Sequence, residues 1–340
     1  MSVASHDWTG AVRRGDYALA WKLSEGILAA RDPGKRDDPS TPYHLRWVWD
    51  GRSFDGRHVL VRCYHGLGDT IQFARYLPIL RQSAASVAIE VQPRLACLLD
   101  HFPGVDRIVA FDPDSPSAES DCDIEIMELA FALRTPPSSV APPYLQAEAA
   151  SLPKGTVGLC GRAGAWDSHR SIPAERLLPL AERWPCLTLD CGPTNLPVLN
   201  PEGCPHDVEA TASLIAGLDL VVTVDTFIAH LAGALGKPVW LLLKHEPDWR
   251  WSPLSCRSDW YPSMRLYVQP APGDWSSPIA QVGRDLAQLK AFVAEQFRGA
   301  DQWETPHARS FPCPGESCST RSRSSTSSEN GSLTRPPSGT

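Results

Sequence analysis

The sequence predicts an α/β protein with two parallel sheets, each built from its own block of the chain. Two observations support this fold class: strand and helix patterns alternate twice along the chain, and the proline-rich stretch TPPSSVAPPYL at 135–145 separates the two runs. Short apolar strands that alternate with helices are typical of parallel sheets covered on both faces. Proline-rich stretches act as spacers, so residues 135–145 are expected to link two domains.

The first block begins at His58 with an apolar strand. Its expected strands are HVLVRCYH at 58–65, SVAIEVQ at 86–92 and VDRIVAF at 105–111, and its expected helices are 70–83 and 93–103. These strands are apolar along most of their length, as strands buried on both faces are. The glycines of GLGD at 66–69 indicate a turn between the first strand and the first helix.

The second block begins near Thr156 and repeats the alternation. Its expected strands are 156–160, 186–192, 219–225 and 238–243, and its expected helices are 172–184, 209–218 and 227–236. Gly236 and Pro238 mark the end of the last of these helices, because glycine ends helices readily and proline cannot continue them.

Segments outside the two blocks complete the domain organisation. Helical spacing from Trp8 stops at Pro33, which predicts a helical extension within residues 1–56. The other expected units are a first domain at 57–145, a second domain at 146–275, a C-terminal helix at 276–300 and a disordered tail at 301–340. The tail is rich in Ser, Thr, Arg and Pro and has too little apolar surface to fold.

Composition favours a cytoplasmic enzyme or binding protein. The 340 residues carry a formal net charge of −7, which argues against a general nucleic-acid binder. No apolar run approaches the roughly 20 residues needed to span a bilayer, and the start lacks the apolar core of a secretory signal. The ten cysteines form no CxxC pair, so no metal site is expected.

The turn YHGLGDT at 64–70 is the first candidate site. Gly66 and Gly68 lie where a strand gives way to a helix, which is the edge of an open sheet where ligands bind. Asp69 there could take a proton from a substrate hydroxyl, and Thr70 follows it. Asp69 could equally cap the helix, and both interpretations stay open. The turn lacks the third glycine of a dinucleotide fingerprint.

The second candidate site follows the strand DLVVTVD. Asp225 and Thr226 stand at the start of the next helix, and His230 lies one turn further on the same face. Amide groups at a helix start suit a phosphate, and a carboxylate suits ribose hydroxyls. The alternative is an Asp/Thr cap with a histidine in the core.

A third candidate is the basic pair His169 and Arg170 in WDSHRSIPAERL. An arginine in a cleft between the domains could neutralise a departing diphosphate. It could equally be an ordinary surface cation.

Taken together, these motifs resemble glycosyltransferase family 9, the heptosyltransferase family, in the form fused to tetratricopeptide repeats in bacteria. The resemblance covers roughly residues 46–275 and is carried by the following stretches: WDGRSFDGRHVLVRCYHGLGDTIQFARYLPIL, IEVQP, HRSIP, DLVVTVDTFIAHLAGALGKPVWLLL, PDWRW and DWYPSMRLYVQ. GDYALAWKLSE is similar to the last repeat helix before the transferase part in such fusions.

The resemblance implies the GT-B architecture, in which two Rossmann-like domains face each other across the active-site cleft and the last helix crosses back to the first domain. It implies an inverting, metal-independent transfer of a sugar such as a heptose from a nucleotide-diphosphate sugar, with no cofactor beyond that co-substrate. Asp69 would be the general base, and Arg170 would steady the diphosphate. The nucleotide sugar would be held by Asp225, Thr226 and His230.

The resemblance also implies an acceptor and a cellular location. The acceptor would be a glycan or another hydroxyl compound, as in lipopolysaccharide biosynthesis, in the cytoplasm with a peripheral contact to the inner membrane. The stretch VGLCGRAGAWDSHRS departs from the donor-side loop of the family. A catalytically inactive module that binds a nucleotide sugar or a glycan is therefore the alternative.

Overall fold

Two separate parallel sheets form the framework of the computed structural model, which describes the backbone of residues 3–297 and the side chains of residues 7–289. The predicted tail at 301–340 lies outside the described residues. Both sheets belong to one compact unit. The predicted α/β fold class is therefore confirmed.

The first sheet has four parallel strands in the order β3-β2-β1-β4. Their bounds are β1 His58–Arg62, β2 Ser86–Val91, β3 Arg107–Ala110 and β4 Cys122–Glu125. The order reverses between β1 and β4, and ligands of open α/β sheets bind beyond the carboxyl ends of the strands at such a reversal.

The sequence analysis missed β4, because its CDIE sequence alternates apolar and acidic residues and does not read as a buried strand. Asp123 is nevertheless buried, and it accepts hydrogen bonds from the guanidinium of Arg62 at 3.0 and 2.6 Å. Arg62 also pairs with Glu90 on β2, at 2.9 Å. Paired charges of this kind can be buried where unpaired ones cannot.

The second sheet has five parallel strands in the order β6-β5-β7-β8-β9. Their bounds are β5 Val157–Cys160, β6 Cys186–Thr188, β7 Leu220–Val224, β8 Val239–Leu243 and β9 Met264–Val268. The first four were predicted, and β9 was not. All residues of β7 and β8 are buried, as expected for central strands with helices on both faces.

Nine α-helices are described between residues 3 and 297. They are α1 Val3–Arg13, α2 Tyr17–Ala29, α3 Leu67–Ala74, α4 Leu77–Leu80, α5 Leu129–Ala132, α6 Ala174–Ala181, α7 Val208–Gly217, α8 Phe227–Ala234 and α9 Ser276–Phe297. None of the described helices is long and apolar enough to cross a membrane.

The N-terminal extension contains two helices where the sequence indicated one continuous pattern. Gly15 lies between them with φ +72°, a left-handed conformation that ends a helix. Asp16 then caps α2 by accepting a hydrogen bond from the amide of Leu19 at 3.0 Å. The pattern therefore folds into the hairpin α1–α2.

The C-terminal helix α9 packs on the second sheet over its described side chains. Ile279, Val282 and Leu286 are buried in a cluster with Trp240 and Tyr267 of β8 and β9. The packing of these side chains on the second sheet leaves the expected crossing back to the first domain a prediction.

Candidate functional site

A cavity of about 440 Å³ lies between the two sheets. It opens at the carboxyl ends of β5 and β7, where the strand order of the second sheet reverses, and its opposite wall is the turn after β1. Its polar and turn residues are Gly66, Gly68, Asp69, Cys160, Arg162, Gly164, Arg170, Asp190, Asp225, Thr226, His230, Asp248 and Arg250. Seven of the nine predicted site residues are thus brought to one cavity.

The wall from the first sheet is helix α3, which begins earlier than predicted and packs on α8. Gly68 lies in the first turn of α3, where a Cβ atom would stand 2.7 Å from Cδ2 of His230 and 3.3 Å from Cα of Phe227. The absence of a side chain at Gly68 therefore allows the two helices to meet. The close contact between α3 and α8 is thus one reason why position 68 is a glycine, whether or not a ligand also approaches it.

Asp69 caps α3, which is one of the two roles that the sequence left open, and its side chain also reaches the cavity. One carboxylate oxygen accepts a hydrogen bond from the backbone amide of Gly66 at 2.9 Å, which caps α3. The other oxygen forms an ion pair with Arg250 of the second block. The side chain remains 23% exposed, so Asp69 reaches the cavity while it caps the helix.

Arg250 is the main site residue that the sequence analysis missed. Its guanidinium donates to Asp248 at 2.7 Å and to Gln72 at 2.6 Å, and it lies 4.3 Å from the ring centroid of Trp249. Burial opposes its charge, but Asp69 and Asp248 outweigh burial and raise its pKa. The available signal was the PDWRW motif, which follows β8 at the carboxyl edge of the sheet.

Arg170 lies on the opposite side of the cavity and is buried. It donates to the backbone carbonyl of Asp225 at 2.8 Å, and its guanidinium carbon lies 4.2 Å from the ring centroid of Trp166. Its buried Nε has no hydrogen-bond partner among the described residues. A buried donor without a partner costs free energy, so this group is suited to bind an anion.

Asp225 and Thr226 follow β7 and line the cavity at the start of α8. Burial and the neighbouring charge of Asp248 raise the pKa of Asp225 to about 6, although Arg250 and Arg170 partly offset them. Thr226 occupies the N-cap position, but its side chain makes no capping hydrogen bond. The helix start therefore keeps amide groups that the Thr226 side chain does not satisfy, at Phe227 and Ile228 on the cavity wall.

His230 is both buried and part of the cavity wall. Its Nδ1 lies 3.1 Å from the hydroxyl of Tyr261, and its ring stacks on Trp251 at 5.7 Å between centroids. Burial, together with the charges of Arg250, Arg75 and Arg170, lowers the pKa of His230 well below its usual value. The ring is therefore neutral near pH 7 and is a hydrogen-bonding group, not a cation for phosphate.

Thr70 and His169 are the two predicted site residues that the structure places away from the cavity. Thr70 is fully buried in α3, and its hydroxyl donates to Gln92 at 3.0 Å. His169 has an 89% exposed side chain beside Asp167. Both were chosen because of their neighbours in sequence, but consecutive residues of a helical turn point in different directions.

The site contains a carboxylate on one wall and anion-binding groups on the other. Asp69 faces the cavity from the first block, whereas Arg170 and the N-terminus of α8 face it from the second. The positive end of a helix and a guanidinium with a free donor can hold a phosphorylated compound. A carboxylate across the same cavity can orient or deprotonate a hydroxyl group.

Comparisons with known proteins point to one family. The family model described as glycosyltransferase family 9 (heptosyltransferase) matches residues 204–265, which run from before α7 into β9 and include Asp225, Thr226, His230 and Arg250. Protein FlbA of Caulobacter vibrioides is 25% identical over an alignment of 296 residues that covers 72% of this chain and 48% of FlbA. The chain therefore spans about half the length of the curated relative that it matches.

Solved structures extend the likeness to the fold. A glycosyl transferase of family 9 from Veillonella parvula is 13% identical with a TM-score of 0.52, and the match covers 71% of this chain and 99% of that one. The ADP-heptose lps heptosyltransferase II of E. coli is 13% identical with a TM-score of 0.48, over 71% and 99% of the two chains. The Veillonella structure shows that this chain has the GT-B fold of two facing sheets, and the family model supports the resemblance to glycosyltransferase family 9 through residues 204–265.

Proposed function

We propose that the protein is a glycosyltransferase that moves a sugar from a nucleotide-diphosphate sugar to a hydroxyl acceptor. The observation that carries this proposal is the shared cavity, in which Asp69 lies opposite Arg170 and the N-terminus of α8. The match to the family 9 model over residues 204–265 supports the same reaction class. The family description suggests a heptose as the transferred sugar.

In this proposal the diphosphate of the donor binds to the second block. The amide groups of Phe227 and Ile228 would donate to its oxygens, and the free Nε of Arg170 would complete the site. The exposed ring of Trp166, next to Arg170 on the cavity rim, would stack on the nucleobase. Asp225 would accept hydrogen bonds from ribose hydroxyls.

Asp69 would act on the acceptor from the opposite wall. Its carboxylate would take the proton of the acceptor hydroxyl while the hydroxyl oxygen forms a bond to the anomeric carbon from the face opposite the diphosphate. The bond between the anomeric carbon and the diphosphate oxygen would break, and the diphosphate would leave with the electron pair. The configuration of the anomeric centre is therefore inverted.

Positive charge for the departing diphosphate would come from the protein itself. Arg170 and the α8 N-terminus would stabilise the charge that develops there, so the proposed reaction needs no metal ion and no further cofactor. Arg250 would hold the Asp69 carboxylate in place across the two blocks. It would thereby couple the position of the base to the donor side of the cavity.

The test is donor binding followed by transfer. Calorimetry with ADP-, UDP- and GDP-sugars, including ADP-heptose, identifies the donor, and mass spectrometry of mixtures with glycan acceptors detects the product. We expect one nucleotide series to bind, and one acceptor to gain the mass of a single sugar. If none of the nucleotide sugars binds to the full chain, the proposal is wrong.

A second candidate function is a binding module that holds a nucleotide sugar without transferring it. The observation that favours it is that both oxygens of Asp69 are engaged, one by Gly66 and one by Arg250. Donor binding without transfer to any acceptor and without donor hydrolysis would support the module. Any turnover that depends on Asp69 would exclude it.

A further inference from the structure

A second cavity of about 520 Å³ lies at the first sheet, outside the site described above. It stands at the reversal of strand order between β1 and β4. His65 follows β1 and Glu125 ends β4, and their side chains meet across the reversal at 3.0 Å. This is the place where open α/β sheets bind ligands, and its volume lies within the usual range of ligand pockets.

Aromatic rings from five parts of the chain line this cavity. The hairpin α1–α2, the segment before β1, the end of α3, the helix α5 and the loop after β8 contribute Trp8, Tyr17, Trp21, Trp47, Phe73, Phe131, Trp249 and Trp260. Trp8 and Trp249 pack edge to face with 5.1 Å between centroids. The N-terminal extension is therefore one wall of this cavity.

One carboxylate oxygen on the wall of this cavity has no hydrogen-bond partner among the described residues. Glu128 pairs with Arg31 through Oε1 at 2.6 Å, but its Oε2 is buried and makes no hydrogen bond within the described part of the chain. Burial raises the pKa of Glu128 even though Arg31 opposes the shift. Buried polar atoms are normally satisfied, so this carboxylate oxygen on the cavity wall indicates a polar ligand.

The second cavity adjoins the first one at two points of the chain. His65 lines the second cavity and the next residue, Gly66, lines the first. Trp249 lines the second and Arg250 lines the first, with the guanidinium over the indole ring at 4.3 Å. Arg250, which pairs with Asp69 on the wall of the first cavity, therefore contacts a wall residue of the second.

We propose that this second cavity binds a saccharide, and that it is the acceptor pocket; the acceptor role, but not the binding itself, rests on the function proposed above. Sugar rings have apolar C–H faces that pack on aromatic rings, and hydroxyls around their edges that donate to carboxylates. The aromatic walls and the free Oε2 of Glu128 match both properties. For the acceptor role, the bound saccharide would have to extend one hydroxyl from this cavity to Asp69 on the wall of the first.

Other ligand classes fit this cavity less well. A phosphorylated ligand would meet the carboxylates of Glu125 and Glu128, whereas the lining arginines Arg31 and Arg46 are already paired with Glu128 and Asp37. A purely apolar ligand would leave the buried Oε2 of Glu128 unsatisfied, which is unfavourable. A ligand with many hydroxyl donors avoids both costs.

The experiment measures binding of methyl glycosides of glucose, mannose and galactose to the full chain, without any nucleotide. Five tryptophans line the cavity, so ligand entry should change the tryptophan fluorescence, and saturation-transfer NMR would report which sugar protons touch the protein. Cyclohexanol serves as a less polar ring of similar size, and inorganic phosphate as an anionic control. We expect at least one glycoside to bind more tightly than either control.

Two variants connect that binding to this cavity. Glu128→Gln should weaken glycoside binding about tenfold, because a hydrogen bond to a neutral amide is weaker than one to a carboxylate. Tyr17→Phe keeps the aromatic ring on the cavity wall and removes only its hydroxyl, so it should weaken glycoside binding less than Glu128→Gln does. Glu119→Gln is the matched control, since Glu119 is an exposed residue outside both cavities.

The outcomes separate this inference from the proposed function. If no glycoside binds, if cyclohexanol or phosphate binds as well as the glycosides, or if Glu128→Gln binds like Glu119→Gln, the saccharide pocket is wrong. If glycosides bind as expected but nucleotide sugars do not, the saccharide pocket is confirmed and the proposed glycosyltransferase function is wrong. Transfer activity that is unaffected by Glu128→Gln and Tyr17→Phe would remove the acceptor role.

Discussion

The carboxylate of Asp69 is ion-paired with the guanidinium of Arg250, so a helix of the first block is joined to the loop after β8 of the second. Asp69 stands 181 positions before Arg250 in the chain. The pair lies on the wall of the first cavity, and in the proposed reaction it would couple the position of the base to the donor side. It is both a structural link and part of the site.

Replacing Arg250 should therefore affect stability and transfer together. Arg250→Gln leaves Asp69 and Asp248 without their cation, and we expect a loss of about 3 kcal/mol, the low end for buried pairs because Asp69 is partly exposed. Urea unfolding measures the loss. Arg52→Gln breaks an exposed ion pair and should change stability little. Equal stability of the two variants would contradict the proposed role of Arg250.

Asp69→Asn should remove the proposed base and keep the fold. The asparagine oxygen can still accept the hydrogen bond from the Gly66 amide, so donor affinity should stay within a few-fold. Turnover should fall by about 10²–10⁴, the usual contribution of a positioned base. Steady-state kinetics and donor calorimetry measure the two effects. Turnover similar to that of the unaltered protein would show that Asp69 is not the base.

Gly68→Ala tests the contact between α3 and α8. The added methyl group would stand 2.7 Å from the His230 ring, and we expect a loss of about 1–3 kcal/mol from overpacking. The matched control is Gly26→Ala, where no atom lies within 4 Å of the new methyl group inside α2. That control should gain up to about 1 kcal/mol from helix propensity. Thermal unfolding of both variants measures these changes. A Gly68→Ala protein as stable as the control would contradict the close contact between α3 and α8.

The sequence predicted most of the framework because apolar strands and turn glycines are local signals. Seven of the nine strands followed apolar patterns that are visible without the structure. β4 was not predicted because two of its four residues, Asp123 and Glu125, are acidic. Their buried carboxylates are paired with Arg62 and His65, which lie about 60 positions earlier in the chain. The sequence around β4 alone does not show such a pairing.

The site was predictable where a residue follows a strand directly or where a glycine turn marks the start of the next helix. Asp225 was found because it follows β7 directly, and Asp69 was found because Gly66 and Gly68 mark the turn between β1 and α3. Arg250 was missed because it lies in an irregular loop seven residues after β8, and only the fold brings it to Asp69. Thr70 and His169 were included on sequence proximity alone, which does not determine the direction of a side chain.

Asp225 should make stability depend on pH. Its pKa is about 6 in the folded protein and near 3.8 when unfolded, so folding favours the protonated form. The raised pKa adds to the free energy of unfolding, fully below about pH 3.8, and this gain is lost as the pH rises through 6. Above that pH the ionised side chain lowers the free energy of unfolding by up to about 3 kcal/mol relative to a neutral one.

Comparison with Asp225→Asn isolates this effect, because all other titrating groups are shared by the two proteins. The variant should be the more stable protein at pH 7.5, and this advantage should shrink towards pH 4.5 while donor affinity is reduced at both. Urea unfolding at the two pH values measures the difference. An advantage that grows towards acid pH would contradict the raised pKa of Asp225.

Trp166 should contribute to nucleotide affinity without contributing to stability. Its ring is 75% exposed on the cavity rim and lies over the guanidinium of Arg170. Stacking of a base on an aromatic ring is worth about 1–3 kcal/mol, so Trp166→Ala should weaken donor binding about tenfold or more, whereas Trp166→Phe should retain most of it. Leu254→Ala, at a 95% exposed position outside the cavity, should leave binding unchanged. If the alanine variants at 166 and 254 bind the donor equally well in calorimetry, the nucleobase does not stack on Trp166 and the donor lies elsewhere in the cavity.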